Sequence, residues 1–233
     1  MTAARILLIG DDPNLLRTLR RNLVGRGYEV SIALDDEDAL SILENFKPNL
    51  CILSLDFTLV KVDALRLCSQ LRLKTPSPII VLSAMSSPQN EVHALDAGAD
   101  DYLAMPFGME EFLARVRSSL RRSPAASVDA PPDRPLIVVG DLLIDTEKRL
   151  VMHYGEQVHL TPIEYELLLY LVSHRGKVIS HRQLLRAVWG SEYGEEREYL
   201  RVFISQIRRK IEQDPLRPIY ILTEPGVGYR FHD

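Results

Sequence analysis

The chain reads as an α/β protein: a doubly wound, five-stranded parallel sheet, then a smaller domain of short strands and three helices. Three observations predict this. Short apolar runs alternate with segments of helical periodicity five times over residues 5–122, and repeated strand-then-helix units fold as a parallel sheet covered on both faces, in the flavodoxin-like manner. Residues 123–135 hold four prolines and little apolar content, the composition of an extended, semi-rigid linker. Past the linker, residues 136–233 give three helical segments closed by two strands around a glycine turn. That closing pattern is a winged helix-turn-helix.

Residues 5–9 form an apolar strand, and Leu15, Leu16, Leu19 and Leu23 then recur at helical spacing before Gly25 and Gly27 end the helix. Strands follow at 28–34, 50–54, 78–83 and 101–104, and helices at 36–46, 63–73, 91–97 and 109–122. In such sheets the working crevice lies outside the carboxyl ends of the strands. Asp11, Asp12, Ser54, Ser83 and Met105 all fall there. In the second domain short strands are expected near 136–139, 142–145, 150–152 and 157–160, and helices over 162–174, 181–188 and 195–213. Strands at 220–223 and 228–231 flank a turn at Pro225 and Gly226.

Composition narrows the function classes. No apolar run approaches the roughly 20 residues of a membrane span, and the first residues lack the apolar core of a signal peptide. A cytoplasmic protein of the bacterial nucleoid, with no membrane partner, is expected. Cys51 and Cys68 sit in apolar contexts and read as buried free thiols. The six histidines never cluster at ligand spacing, so no metal site is read from them. No catalytic constellation is found, and an enzyme is not expected. The net charge of −4 speaks weakly against nucleic acid if taken globally, but the local placement of cations matters more.

That placement is informative over 197–210. Leu200, Phe203, Ile204 and Ile207 make an apolar stripe, while Arg201, Ser205 and Arg208 line up on another face, flanked by Arg197, Arg209 and Lys210. Such a helix can enter a major groove, where arginine pairs with guanine and outer cations hold phosphates. A solvated charged face is the bland alternative. The preceding helix, the closing hairpin and the linker favour DNA. Trp189, the single tryptophan, is read as a core anchor rather than a base-stacking group.

Residues 160–168 and 223–231 resemble the effector domain of the OmpR/PhoB family of response regulators, and residues 95–103 and 105–107 resemble that family's receiver domain. The likeness covers nearly the whole chain. The runs 159–168 and 208–231 resemble, more narrowly, regulators of potassium-transport operons. The resemblance implies a 1–122 receiver, a 123–135 linker and a 136–233 effector that binds double-stranded DNA, as direct repeats, in dimeric form. The helix carrying Arg201 would lie in the major groove. The hairpin of Thr223, Gly226, Gly228, Tyr229 and Arg230 would touch the adjacent minor groove, although Pro225 replaces the arginine many relatives place there.

In the family a receiver holds magnesium with two acidic residues and the phosphate-accepting aspartate, and a lysine pairs the phosphoryl group. Here those positions fall on Gly10 and Asp11, on Ser54, and on Met105; Asp12 adjoins the pair but projects differently. Ser83 and Tyr102, the switch hydroxyl and its aromatic reporter, remain. A serine hydroxyl without a helper base is a poor nucleophile, lost carboxylates weaken a magnesium site, and nothing neutralises transition-state charge. No cofactor is expected, and magnesium binding is in doubt.

The leading expectation is a DNA-binding regulator independent of phosphorylation, with its receiver used for dimerisation or for sensing something else. Asp56, two residues past Ser54 on the same side of an extended strand, is the alternative acceptor. A third reading has the emptied crevice take a small ligand or a protein partner. The family pairs its receivers through surfaces that match Asp100, Asp101, Glu111, Arg115 and Arg122 here. RNA polymerase is a further expected partner, and a cognate sensor kinase is doubtful.

Overall fold

A computed structural model describes residues 3–54, 61–84, 87–122 and 136–233, the side chains of 61–64 excepted. Asp56 and the 123–135 segment lie outside the described residues. The chain divides into two compact units, Met1–Ala126 and Ser127–Asp233.

The first unit runs β1 (Arg5–Gly10), α1 (Pro13–Val24), β2 (Glu29–Ala33), α2 (Asp36–Phe46), β3 (Leu50–Ser54), α3 (Lys61–Lys74), β4 (Ile79–Ser83), α4 (Pro88–Asp96), β5 (Asp101–Ala104) and α5 (Met109–Arg122). The strands lie in the order β2-β1-β3-β4-β5, every pair parallel. Central strands β3 and β4 are buried at every residue, which is why their sequences are continuous apolar runs rather than alternating ones. Helix starts are set by side chains that accept from orphan backbone N–H groups: Asp12 for α1, Asp35 for α2 and Ser87 for α4. Pro13 and Pro88 occupy the first turn, where no N–H is needed. Leu8, Leu19, Ile52, Leu82, Phe112 and Val116 belong to one apolar cluster.

Asp100 and Asp101, expected on a pairing surface, are buried within the single chain. Asp100 is 1% exposed, accepts from the Ile79 N–H at 2.8 Å, and is gripped by Arg72. Arg72 also donates to the carbonyls of Gly98, Thr75 and Ser77, so one guanidinium ties α3 to the start of β4 and the end of α4. Asp101 is fully buried and pairs with Arg115 of the same chain at 2.9 Å. Arg115 reaches Glu111 as well, and Arg122 donates to Ser118 and Ser119 on its own helix. A carboxylate taken out of water must be paired and hydrogen-bonded, and these partners are supplied internally.

The second unit opens with β6 (Leu136–Val139), β7 (Leu142–Asp145), β8 (Leu150–His153) and β9 (Glu156–Val158), an antiparallel sheet in that order. Then come α6 (Pro162–Ser173), β10 (Val178–Ser180), α7 (His181–Val188), α8 (Arg197–Ile211), β11 (Ile221–Glu224) and β12 (Gly228–Phe231). The closing sheet has the order β10-β12-β11, so the two expected strands are joined by a third, too short to leave a period in the sequence. Capping boxes at Thr161 with Glu164 and at Ser180 with Gln183 start α6 and α7. Trp189 is fully buried, its ring 5.4 Å from Phe203 and 6.0 Å from Tyr199. Replacing a buried tryptophan by alanine costs about 3–5 kcal/mol. Trp189→Ala is therefore expected to unfold the second unit at much lower urea concentration, read by circular dichroism, while the first unit's transition stays in place.

Candidate functional site

Two places collect the residues singled out from the sequence. At the carboxyl edge of the parallel sheet, Gly10 of β1 stands in register with Ser54 of β3. A Cβ added at Gly10 would lie 2.5 Å from the Ser54 carbonyl oxygen and 3.2 Å from its Cβ, closer than real Cβ atoms approach backbone. Glycine is therefore required there by contact with the neighbouring strand. Ser54 itself is 5% exposed. Asp11 is exposed. Asp12 is occupied as the cap of α1, its Oδ1 accepting from the N–H groups of Asn14 at 2.8 Å and Leu15 at 3.3 Å.

Across the crevice the Met105 N–H donates to the Ser83 carbonyl at 2.7 Å, and the Met105 side chain is half-buried. Ser83 is fully buried and Tyr102 nearly so, and their hydroxyls are hydrogen-bonded. Burial raises the Tyr102 phenol above its ordinary pKa, the Ser83 bond opposes this, and Glu91 adds to it. Among the described residues, no group of three or more His, Cys, Asp and Glu could hold a metal ion. Cys51 and Cys68 are buried thiols whose pKa is pushed up to about 12, by burial first, so they are not nucleophiles at neutral pH.

The second place is the outer face of α8. Its inner face, including Leu200, Phe203, Ile204 and Ile207, is buried. Arg197, Arg201 and Arg209 are exposed and Ser205 is half-buried. The Arg201 guanidinium pairs with Glu198 one turn back at 2.7 Å, an exposed contact of little strength. Other residues expected on this face are held by the domain itself. Arg208 donates through Nε and Nη2 to the Ile221 carbonyl, at 3.0 and 2.5 Å, and through Nη2 to the Thr223 hydroxyl at 2.9 Å. Burial lowers the pKa of this guanidinium, with Tyr229 and Glu212 opposing. Lys210 reaches back to the buried Glu164 carboxylate at 2.6 Å. Arg230 pairs with Glu224 across the hairpin at 2.7 Å.

Tyr229 is buried beneath the Arg208 guanidinium, which lies 5.9 Å from its ring centre. Gly228 sits so close to β10 that a Cβ would come 1.9 Å from the Ile179 carbonyl oxygen. At the hairpin tip Gly226 has φ +76°, with open space around it, so its freedom serves the turn. Beside this face the structure brings forward His181, Arg182 and Arg186, which the sequence reading passed over. Their signal was available: arginines four apart on the side of α7 opposite Leu184, Leu185 and Val188.

Residues 6–117 match the family described as response regulator receiver domain, and residues 155–231 match transcriptional regulatory protein, C terminal. The transcriptional regulatory protein KdpE of Mycobacterium tuberculosis is 43% identical over 226 residues, covering 97% of this chain and 98% of that protein. This chain belongs to the OmpR/PhoB-type response regulators. It is a DNA-binding transcriptional regulator of that type, and no described helix is long and apolar enough to cross a membrane. The KDP operon transcriptional regulatory protein KdpE of Escherichia coli is 42% identical over 97% of the chain and 98% of its own length. A solved mutant of RitR matches with TM-score 0.74 at 28% identity, over 99% of this chain and all of that one.

Within this regulator the arginines of α8 divide into two kinds. Hydrogen bonds from a charged donor contribute about 1.5–3 kcal/mol, so Arg208→Ala is expected to lower the second unit's stability by that order in urea titrations. Arg201→Ala, which frees only an exposed ion pair, is expected to change stability by less than about 0.5 kcal/mol.

Proposed function

We propose that this regulator binds direct-repeat DNA as a homodimer without needing phosphorylation. The observation that carries the reading is the contact of Gly10 with the Ser54 carbonyl. It leaves no room for a side chain at position 10, and the facing strand end offers a hydroxyl. With Asp12 capping α1, the described residues of the crevice do not fit a magnesium site, which wants several oxygen ligands of high charge. Met105 puts an apolar side chain where a phosphoryl dianion would need a cation. The Ser83 and Tyr102 hydroxyls of the switch pair are hydrogen-bonded to each other.

On the output side, Arg197, Arg201, Ser205 and Arg209 are the α8 residues that would meet DNA. Thr223, Gly226 and Arg230 would approach it from the hairpin. Arg208, Lys210, Gly228 and Tyr229 would serve by holding that surface in shape. Pairing of receivers would use α4, β5 and α5, with Glu111 on the exposed side and the buried ion pairs keeping the helices in place. RNA polymerase would be met at the promoter, and a cognate kinase is not required. The relatives named for the KDP operon make that operon's promoter the first DNA to try.

Two measurements test this. Incubation with acetyl phosphate and magnesium is expected to leave both intact mass and DNA affinity unchanged. An added phosphoryl group would overturn the reading and make Asp56 the residue to replace. Arg201→Ala is expected to weaken binding to the preferred duplex by about 1–3 kcal/mol, in a gel-shift titration at fixed salt.

A further inference from the structure

Beside the α8 face lies an open cleft of about 920 Å³, walled by the start of α7, the 191–195 loop, Arg197 and the hairpin tip at Gly226 and Val227. His181 belongs to this wall. Its backbone N–H donates to the Val227 carbonyl at 3.1 Å, and its ring stands edge-on to Tyr229 at 5.6 Å. The imidazole is therefore fixed between the first helical turn of α7 and the hairpin. We propose that His181 is a contact for the DNA backbone that takes up a proton from solvent when a phosphate enters the cleft, so that DNA binding tightens as the pH falls.

The electrostatics run one way. On its own helix His181 has Arg182 and Arg186 as neighbours along the cleft, and α8 contributes Arg197 and Arg201. Glu192 and Glu195 line the loop side, Tyr229 faces the ring from β12, and the hairpin tip carries no charge at Gly226 or Val227. Burial raises the Tyr229 phenol, so it stays neutral. Burial and then Arg197 and Arg201 lower the pKa of His181 below its ordinary 6.5, so the free protein holds it neutral at physiological pH. A phosphate drawn in by the arginines reverses the local field and favours the imidazolium. The bound state then carries more protons than the free one, and affinity must rise as pH falls through the His181 titration.

This inference rests on the reading of α8 as the DNA-facing helix, and the test separates the two. The full-length protein is titrated with a labelled mixed-sequence duplex at constant ionic strength from pH 8 to pH 6. Wild type is expected to tighten about three- to tenfold, because the bound state takes up a proton that the free state lacks. His181→Gln should give a flat weak profile and His181→Arg a flat tight one, with calorimetry in buffers of different ionisation enthalpy showing proton uptake only in wild type. Binding that tightens equally in His181→Gln would overturn the role of His181 while leaving the α8 reading intact. No binding by wild type at any pH would overturn both.

Discussion

The guanidinium of Arg208 decides where the working surface of the second unit points. It leaves the last turn of α8, crosses Tyr229, and bonds the first carbonyl of β11 and the Thr223 hydroxyl. A helix packed only by its apolar stripe can slide and rotate over a core. A charged two-nitrogen grip on a single carbonyl is directional and resists both motions. Once α8 and β11 are locked together, β12 follows by its ladder to β11, and β10 follows β12. The start of α7 follows β10, which it directly continues. The hairpin, the cleft and the exposed arginines thus share one frame.

The two units solve a common problem in different ways. A buried ionised group must find partners inside the protein or not be charged at all. The first unit does this with Arg72 on Asp100 and Arg115 on Asp101, each carboxylate at the end or edge of a strand. The second unit does it with carboxylates on backbone donors. Glu164 completes the cap of α6 and receives Lys210, and Glu212 accepts from the N–H groups of Ile219, Tyr220 and Ile221. The crevice at the carboxyl edge takes the opposite course. Among the described residues, Gly10, Ser54 and Met105 bring no charge to it, and the Asp12 carboxylate is spent on the backbone N–H groups of α1.

Much of this was legible in the sequence. The fully apolar runs of β3 and β4 and the leucine spacing of α1 declare a parallel sheet, because both faces are covered and only such residues can be. The residues at the carboxyl edge, Gly10, Ser54 and Met105, were equally plain, since they are matters of residue type. Contacts between distant segments were less readable. Helical spacing puts Arg208 beside Arg201 and Ser205, yet its partner is 13 residues further on, across a turn. Adjacent aspartates at 100 and 101 look like a charged surface until Arg72 and Arg115 are seen to enclose them. Strand β10 has three residues with one buried side chain, Ile179, and that is too little for a period to register.

The closeness of Gly10 to the Ser54 carbonyl also ties two positions of the sequence together. A carboxylate placed at position 54 would leave position 10 still barred to a side chain, and a larger residue at position 10 would force β1 and β3 apart at their ends. The contact therefore couples the residue at position 10 to the spacing of β1 and β3 at their carboxyl ends.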